Sequence, residues 1–205
     1  MKKLGMVILL VLAIALLSSP SAQQLGRVLY VNNQDAACNG RSPCYGTIQA
    51  AINAAQSRDT IQIQAGIYRE QLFIEKNNSL GITESDRIVI EPDPSLPPNS
   101  VTVTGSPGPQ CPDKFAIRIK QSKFVTIRGL TITGTGAQAI FMMGGNNGNQ
   151  GIHIERNRIF GNGSGSCDGG ITIARGNPDT LIANNLIYAN GRNGISFVDG
   201  DGGPH

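Results

Sequence analysis

The chain has 205 residues, and its formal charge is nearly balanced, with 17 basic and 14 acidic residues. Bulk charge therefore argues neither for nucleic acid nor for an anionic membrane as a partner. Aromatic residues make up only 5%, tryptophan is absent and glycine reaches 26 residues, which disfavours a helical bundle and an aromatic-rich sandwich and favours short strands with tight turns.

The first 22 residues predict a secretory signal peptide. Lys2 and Lys3 give a positive start, residues 6–17 are apolar without interruption, and residues 18–22 are small, as a cleavage site requires. An apolar run of about 12 residues is too short for a bilayer that needs about 20, so no membrane anchor is expected after cleavage. The mature domain is then residues 23–205, with 15 basic and 14 acidic residues, in a secreted or periplasmic protein.

Two cysteines flank a short loop near the start of this domain. Cys38 and Cys44 enclose residues 39–43, and in an exported chain with four cysteines this spacing predicts a disulfide. A metal site is the alternative, but His153 and His205 are the only histidines that could add nitrogen ligands.

One helix is predicted, over residues 47–56. Thr47 is a suitable N-cap, and the apolar residues Ile48, Ala51, Ile52 and Ala55 follow at helical spacing. A short strand at residues 29–31 precedes this helix. From residue 60 onward apolar residues alternate with polar ones, which is typical of strands.

The second half of the sequence repeats itself. Residues 154–163 match residues 182–191 at a shift of 28, and a shift of 27 brings residues 127–136 onto residues 154–163. A period of this length is typical of solenoids and propellers, and three short strands without a helix in each period favour a parallel β-helix.

The third strand of each period predicts the interior of the coils, over repeats at residues 116–205. Stacked coils lie about 4.8 Å apart, so equivalent residues lie directly above one another. Two series are expected to fill the interior: Ile117, Ile140, Ile171 and Ile195, and then Ile119, Met142, Ile173 and Phe197. Arg118, Phe141, Thr172 and Ser196 then point outward, and the corners at Gly129, Asn157 and Asn185 suit sharp turns and an asparagine ladder.

The two ends of the predicted solenoid differ. The helix at 47–56 is expected to cap the N-terminal end, whereas nothing comparable is found at the other end. The sequence is therefore interpreted as a fragment with an incomplete C-terminal end, unless a partner or a second copy covers it. Cys111 and Cys167 precede equivalent strands two coils apart, and a second disulfide between them is predicted.

Two segments carry a resemblance to a known family. Residues 47–52, 59–61 and 65–70 (TIQAAI, DTI and AGIYRE) and the stretch 124–132 (FVTIRGLTI) resemble the pectin-lyase-like right-handed parallel β-helix superfamily, including chondroitinase B-like and alginate lyase-like enzymes. The resemblance implies an all-β solenoid and a polysaccharide partner, usually an acidic one. The same coils occur in lyases, hydrolases and adhesins, so the reaction and the catalytic residues stay undetermined.

The outward face of the third strand series holds the candidate substrate-binding residues. They are Arg118, Lys120, Phe141, Arg175, Asp168 and Asp199. Arginine and lysine can pair with uronate carboxylates, and a phenylalanine can stack on a sugar ring. Alternatively, the long loop at residues 105–115 simply covers Phe141 and Met143.

Acidic residues give weaker hypotheses. Asp199 and Asp201 could ligate Ca²⁺, although a plain polar turn explains them equally well. Asp168 and Asp199 are the one pair of carboxylates that a hydrolase could use. Arg128, His153 and Glu155 form either an acid–base cluster or a solvated ion pair.

Two functions remain open. The chain is either a carbohydrate-active enzyme of the polysaccharide lyase or hydrolase kind, inactive as a fragment, or a non-catalytic secreted β-helix that binds glycans or builds a surface structure.

Overall fold

The computed structural model describes residues 25–78, 83–105, 114–145, 148–163 and 169–198. These residues form one α-helix, α1 (Ile48–Ala54), two short 3-10 helices (Cys38–Gly40 and Glu84–Asp86) and seventeen strands. The strands are β1 (Val28–Val31), β2 (Cys44–Tyr45), β3 (Thr60–Ile63), β4 (Gly66–Tyr68), β5 (Leu72–Glu75), β6 (Ile88–Pro92), β7 (Val101–Val103), β8 (Ile117–Lys120), β9 (Val125–Arg128), β10 (Thr131–Thr133), β11 (Ile140–Met143), β12 (His153–Glu155), β13 (Arg158–Phe160), β14 (Ile171–Ala174), β15 (Leu181–Ala183), β16 (Leu186–Tyr188) and β17 (Ile195–Val198).

Three parallel sheets make up the fold. Sheet A has the order β15-β12-β9-β6-β3-β1-β2, sheet B the order β16-β13-β10-β7-β4, and sheet C the order β17-β14-β11-β8-β5. Successive strands of the chain visit A, B and C in turn, so each circuit is one coil. Crossovers between parallel strands are right-handed in nearly all proteins. The predicted right-handed parallel β-helix is confirmed, and the three-sheet pattern already holds from β3 onward.

The interior is built from stacked rows of like residues. Ile117, Ile140 and Ile171 lie in register in sheet C and are buried, as the predicted series requires. The series continues in register to Ile195 and Phe197 of β17, but these side chains are 43% and 79% exposed because no strand is described beyond β17. The two series therefore lie in register as predicted, buried in the inner coils and exposed at the edge strand β17.

The helix α1 covers the N-terminal end of the coils. Its face of Ile48, Ala51 and Ile52 is buried in the core, and α1 contacts β1, β3 and β5. The Thr47 side chain accepts a hydrogen bond from the Ala50 amide at 3.1 Å, as an N-cap does. The helix ends at Ala54, two residues before the predicted boundary, because Ala55 already has extended backbone angles.

Asparagine ladders fix the corners between sheets A and B and between sheets B and C. Asn157 is buried and donates from Nδ2 to Oδ1 of Asn185 in the next coil at 3.0 Å. Asn162 bonds Asn190 in the same way at 3.0 Å, after β13. Each ladder side chain also bonds main-chain groups that a turn leaves without a strand partner. The predicted ladder is confirmed.

The Cys38–Cys44 disulfide is confirmed and closes the loop between β1 and β2. Cys111 and Cys167 lie outside the described residues, as does the predicted signal peptide, so the second disulfide and the leader stay predictions. Within the described part of the chain, no helix is both long and apolar enough to cross a membrane.

Candidate functional site

The outward face of sheet C carries the residues that the sequence singles out for binding. Arg118 on β8 donates from Nε to the Glu75 carboxylate on β5 at 2.6 Å. Its guanidinium carbon lies 4.8 Å from the ring centre of Phe73 and 5.0 Å from that of Phe115. Arg118 is thus held by a charge-assisted hydrogen bond and two aromatic rings, which orients it but leaves it little freedom to meet a new ligand.

Phe141 lies in a small apolar cluster on this face. It packs with Phe115 and Ala174, and the ring is only 8% exposed. Of the two interpretations of Phe141, cover by the long loop agrees with this packing, since Phe115 is the last residue of that loop. Thr172 is also outward-facing but buried, and its hydroxyl lies 3.0 Å from that of Ser196. A sugar can stack on Phe141 only if its cover moves, so that role stays a prediction.

Two lysines supply the free positive charge of the face. Lys120 on β8 is in register with Glu75 on the neighbouring strand β5. Its side chain has no hydrogen-bond or ion-pair partner among the described residues. Lys76 follows β5, is exposed and is likewise unpaired within the described part of the chain. With Arg118 they give three cations against the single carboxylate of Glu75, which favours an anionic ligand.

A polar cavity of about 560 Å³ is lined by Lys76 but not by Lys120, which lies on the adjoining strand β8. Gln49 and Asn53 of α1 form one wall. The edge strand β5 and the turn after it form the other, with Glu75, Lys76 and Asn77. Gln49 bonds both the main-chain amide and the carbonyl of Phe73, at 2.7 and 3.1 Å, which joins the cap to the edge of sheet C. Amide side chains and a lysine around an open cavity suit the hydroxyl and carboxylate groups of a sugar.

None of the predicted binding residues that the structure describes lines this cavity. Arg175 is exposed directly after β14 and has partners of its own. Asp168, Asp199 and Asp201 lie outside the described residues, so the carboxylate pair and the Ca²⁺ ligands stay predictions. No group of three or more His, Cys, Asp or Glu side chains that could hold a metal ion occurs within the described ranges.

The expected cluster on sheet A is rearranged. Arg128 donates from Nε to Glu91 of the preceding coil at 2.6 Å, not to Glu155 of the following one. His153 places Nδ1 3.3 Å from Glu155 and Nε2 3.2 Å from the guanidinium of Arg87. Both ring nitrogens of His153 therefore have a charged neighbour, and the side chains of His153 and Glu155 are only 23% and 21% exposed.

Glu75 and Lys76 are the site residues that sequence reasoning missed. The strand at residues 72–74 is visible in the sequence, but β5 lies 45 positions before its neighbour β8 in sheet C, as the register of Leu72 with Ile117 shows. That sequence separation is much longer than the period of 27 or 28 residues later in the chain, because long loops lie between β5 and β8. Aligning Leu72 and Ile74 with Ile117 and Ile119 by their alternation alone would have placed Glu75 beside Lys120.

Comparisons with known proteins give structural neighbours only. The sequence matches no protein-family model, and no curated protein matches it significantly. Alginate lyase from Paenibacillus sp. str. FPU-7 is 21% identical, with 79% of this chain and 45% of that chain covered and a TM-score of 0.49. A pectin methylesterase in complex with hexasaccharide VII is 14% identical, with 80% and 55% covered and a TM-score of 0.48.

A second pectin methylesterase structure, with hexasaccharide IV, is 15% identical over 78% of this chain and 50% of that chain, with a TM-score of 0.46. The chain thus spans about half the length of these structures. They are proteins to which this chain is similar, and at such identities no functional residue can be transferred from them.

Proposed function

We propose that the protein is a secreted β-helix that binds an acidic polysaccharide along sheet C, as part of a polysaccharide-processing enzyme. The observation that carries this proposal is that two lysines have no side-chain partner among the described residues: Lys76 lines the open cavity of about 560 Å³, and Lys120 lies on the next strand, in register with Glu75 of the cavity wall. Ammonium groups on a flat parallel sheet suit a linear polymer with a carboxylate on each sugar. The disulfide between Cys38 and Cys44 supports a location outside the cytoplasm.

A non-catalytic glycan-binding protein is the second candidate. One observation favours it: Glu75 is the only carboxylate on the strands of sheet C, and it is tied to Arg118. A glycosidase needs two carboxylates about 5–9.5 Å apart, and a uronate lyase needs a base near the sugar C5 proton. In the enzyme hypothesis these groups come from Asp168, Asp199 or residues beyond β17.

Calorimetric titration tests the binding part of the proposal. Polygalacturonate, alginate and chondroitin sulfate are the acidic ligands, and dextran is the neutral control. We expect saturable, salt-sensitive binding of at least one acidic polymer and none of dextran. Loss of the two charges in Lys76→Gln/Lys120→Gln should weaken binding about 5- to 10-fold, because each exposed ion pair contributes about 0.2–1 kcal/mol.

Arg69→Gln is the control, because Arg69 is exposed after β4 of sheet B and does not line the cavity. It should bind as tightly as the parent protein. Equal binding of dextran, or equal loss in Arg69→Gln and the double variant, would contradict the proposal. Product analysis of the same polymers for unsaturated ends, new reducing ends and methanol then separates lyase, hydrolase and esterase from a pure binding protein.

A further inference from the structure

A second cavity lies at the corner between sheets A and B, away from the face of sheet C. Its volume is about 310 Å³. The proline-rich segment 92–99 between β6 and β7 forms one wall. Arg128, Gly129 and Arg156 from the following two coils form the other. This volume is at the lower end of ligand-binding pockets and suits one or two sugar rings.

Two guanidinium groups line this cavity, and nearby carboxylates neutralise their positive charge only in part. Arg128 uses Nε for Glu91, and its terminal nitrogens have no hydrogen-bond partner among the described residues. Its side chain is 39% exposed, whereas that of Glu91 is 16% exposed. Arg156 is exposed and has no side-chain partner in the described part of the chain. The lining holds two carboxylates beside these two guanidinium groups: Glu91 pairs with Arg128, and the buried Asp93 pairs with Arg41 from outside the lining. Arg156 is therefore the charge of the cavity that has no partner among the described residues.

The backbone of Arg156 has a positive φ, as the sharp corner between β12 and β13 requires. Equivalent corners hold Gly129 with φ of 72° and Asn184 with φ of 57°, and Arg156 has φ of 53°. Glycine and asparagine tolerate this left-handed region, whereas a long side chain there costs on the order of 1 kcal/mol. The same backbone occurs at Arg58 and Lys76, so it fixes the position of the Arg156 side chain at the corner and does not by itself mark a ligand site.

We propose that this corner cavity binds a uronate sugar through its carboxylate. The planar guanidinium groups of Arg156 and Arg128 present paired N–H donors to the two carboxylate oxygens. The side chains of Leu96, Pro97 and Pro98 give the opposite wall an apolar surface for the C–H face of the sugar ring. This site is separate from the sheet C face and does not depend on it, since it uses different residues on a different side of the coil.

Digalacturonate is the probe, because it is too short to span both faces at once. We expect saturable binding that Arg156→Asn weakens at least 5-fold. Asparagine occupies the equivalent corner at Asn184 with nearly the same φ, so this variant should fold at least as stably as the parent. Arg69→Gln removes one exposed positive charge outside the cavity and should leave the affinity unchanged.

Further variants and ligands distinguish the corner cavity from sheet C and from a general attraction between opposite charges. Lys76→Gln/Lys120→Gln should leave the Arg156-dependent binding of digalacturonate unchanged, even if binding of polymers at sheet C fails. Acetate and digalactose should each bind at least 10-fold more weakly than digalacturonate. Digalacturonate binding that survives Arg156→Asn, or acetate that binds as tightly as the sugar acid, would overturn the proposal.

Discussion

Removal of the Asn157 side chain should destabilise the protein far more than the loss of an average asparagine. Its amide nitrogen donates to the Ile127 carbonyl and to Asn185 at 3.0 Å each, and its oxygen accepts from the Leu130 amide at 3.0 Å. Asn157→Ala leaves the buried Leu130 amide and the Ile127 carbonyl without this partner, and each unsatisfied group costs about 1–3 kcal/mol. We therefore expect the free energy of unfolding to fall by about 3 kcal/mol.

Urea unfolding followed by circular dichroism measures this loss. Asn53→Ala is the matched control, because Asn53 is exposed on α1 and only accepts a hydrogen bond from Gln49 at 2.8 Å. That variant should change the free energy of unfolding by less than about 0.5 kcal/mol. If Asn157→Ala unfolds at the same urea concentration as Asn53→Ala, the ladder does not hold the corner and the reasoning is refuted.

Three further predictions concern the disulfide, acid stability and the apolar cluster. Replacing Cys38 and Cys44 by alanine should lower the free energy of unfolding by about 2 kcal/mol, since the bridge closes a loop with a sequence separation of 6; an unchanged urea midpoint would contradict this. Burial alone raises the pKa of Asp59, but hydrogen bonds from Arg27 and from backbone amides outweigh it and hold the pKa below its ordinary value. This contribution is complete above about pH 4 and is lost as the pH falls through the lower folded value, so acid should shift the urea midpoint of the parent more than that of Asp59→Asn; equal shifts would refute it. Phe141→Ala should cost about 2–4 kcal/mol in thermal or urea unfolding, because its ring is buried; a variant as stable as the parent would show that the ring is free for a ligand instead.

The fold could be predicted because a parallel β-helix repeats the same residue types at the same place in each coil. Ile117, Ile140 and Ile171 lie in register in sheet C although the loops between them differ in length, and the asparagine corners recur at a period of 28. The disulfide and the helix cap follow from local sequence, since their partners lie within a few residues. These features need no knowledge of loops.

The candidate site was less predictable because it depends on contacts between segments that are distant in sequence. Glu75 and Lys76 meet the face of Lys120 only after the loops between β5 and β8 are placed. The burial of Phe141 depends on Phe115 from another segment, which periodicity does not reveal. Arg128 has an acidic residue in register on each side, and its choice of Glu91 over Glu155 is set by side-chain geometry rather than by spacing.

The structure of the protein bound to a uronate tetrasaccharide would test the central proposal most directly. We predict that the sugar lies across sheet C. Its carboxylates should lie within hydrogen-bond distance of Lys76 and Lys120, and its hydroxyl groups should lie near the amides of Gln49 and Asn53. A tetrasaccharide that leaves sheet C empty at saturating concentration, or one that contacts it without meeting either lysine, would contradict the account.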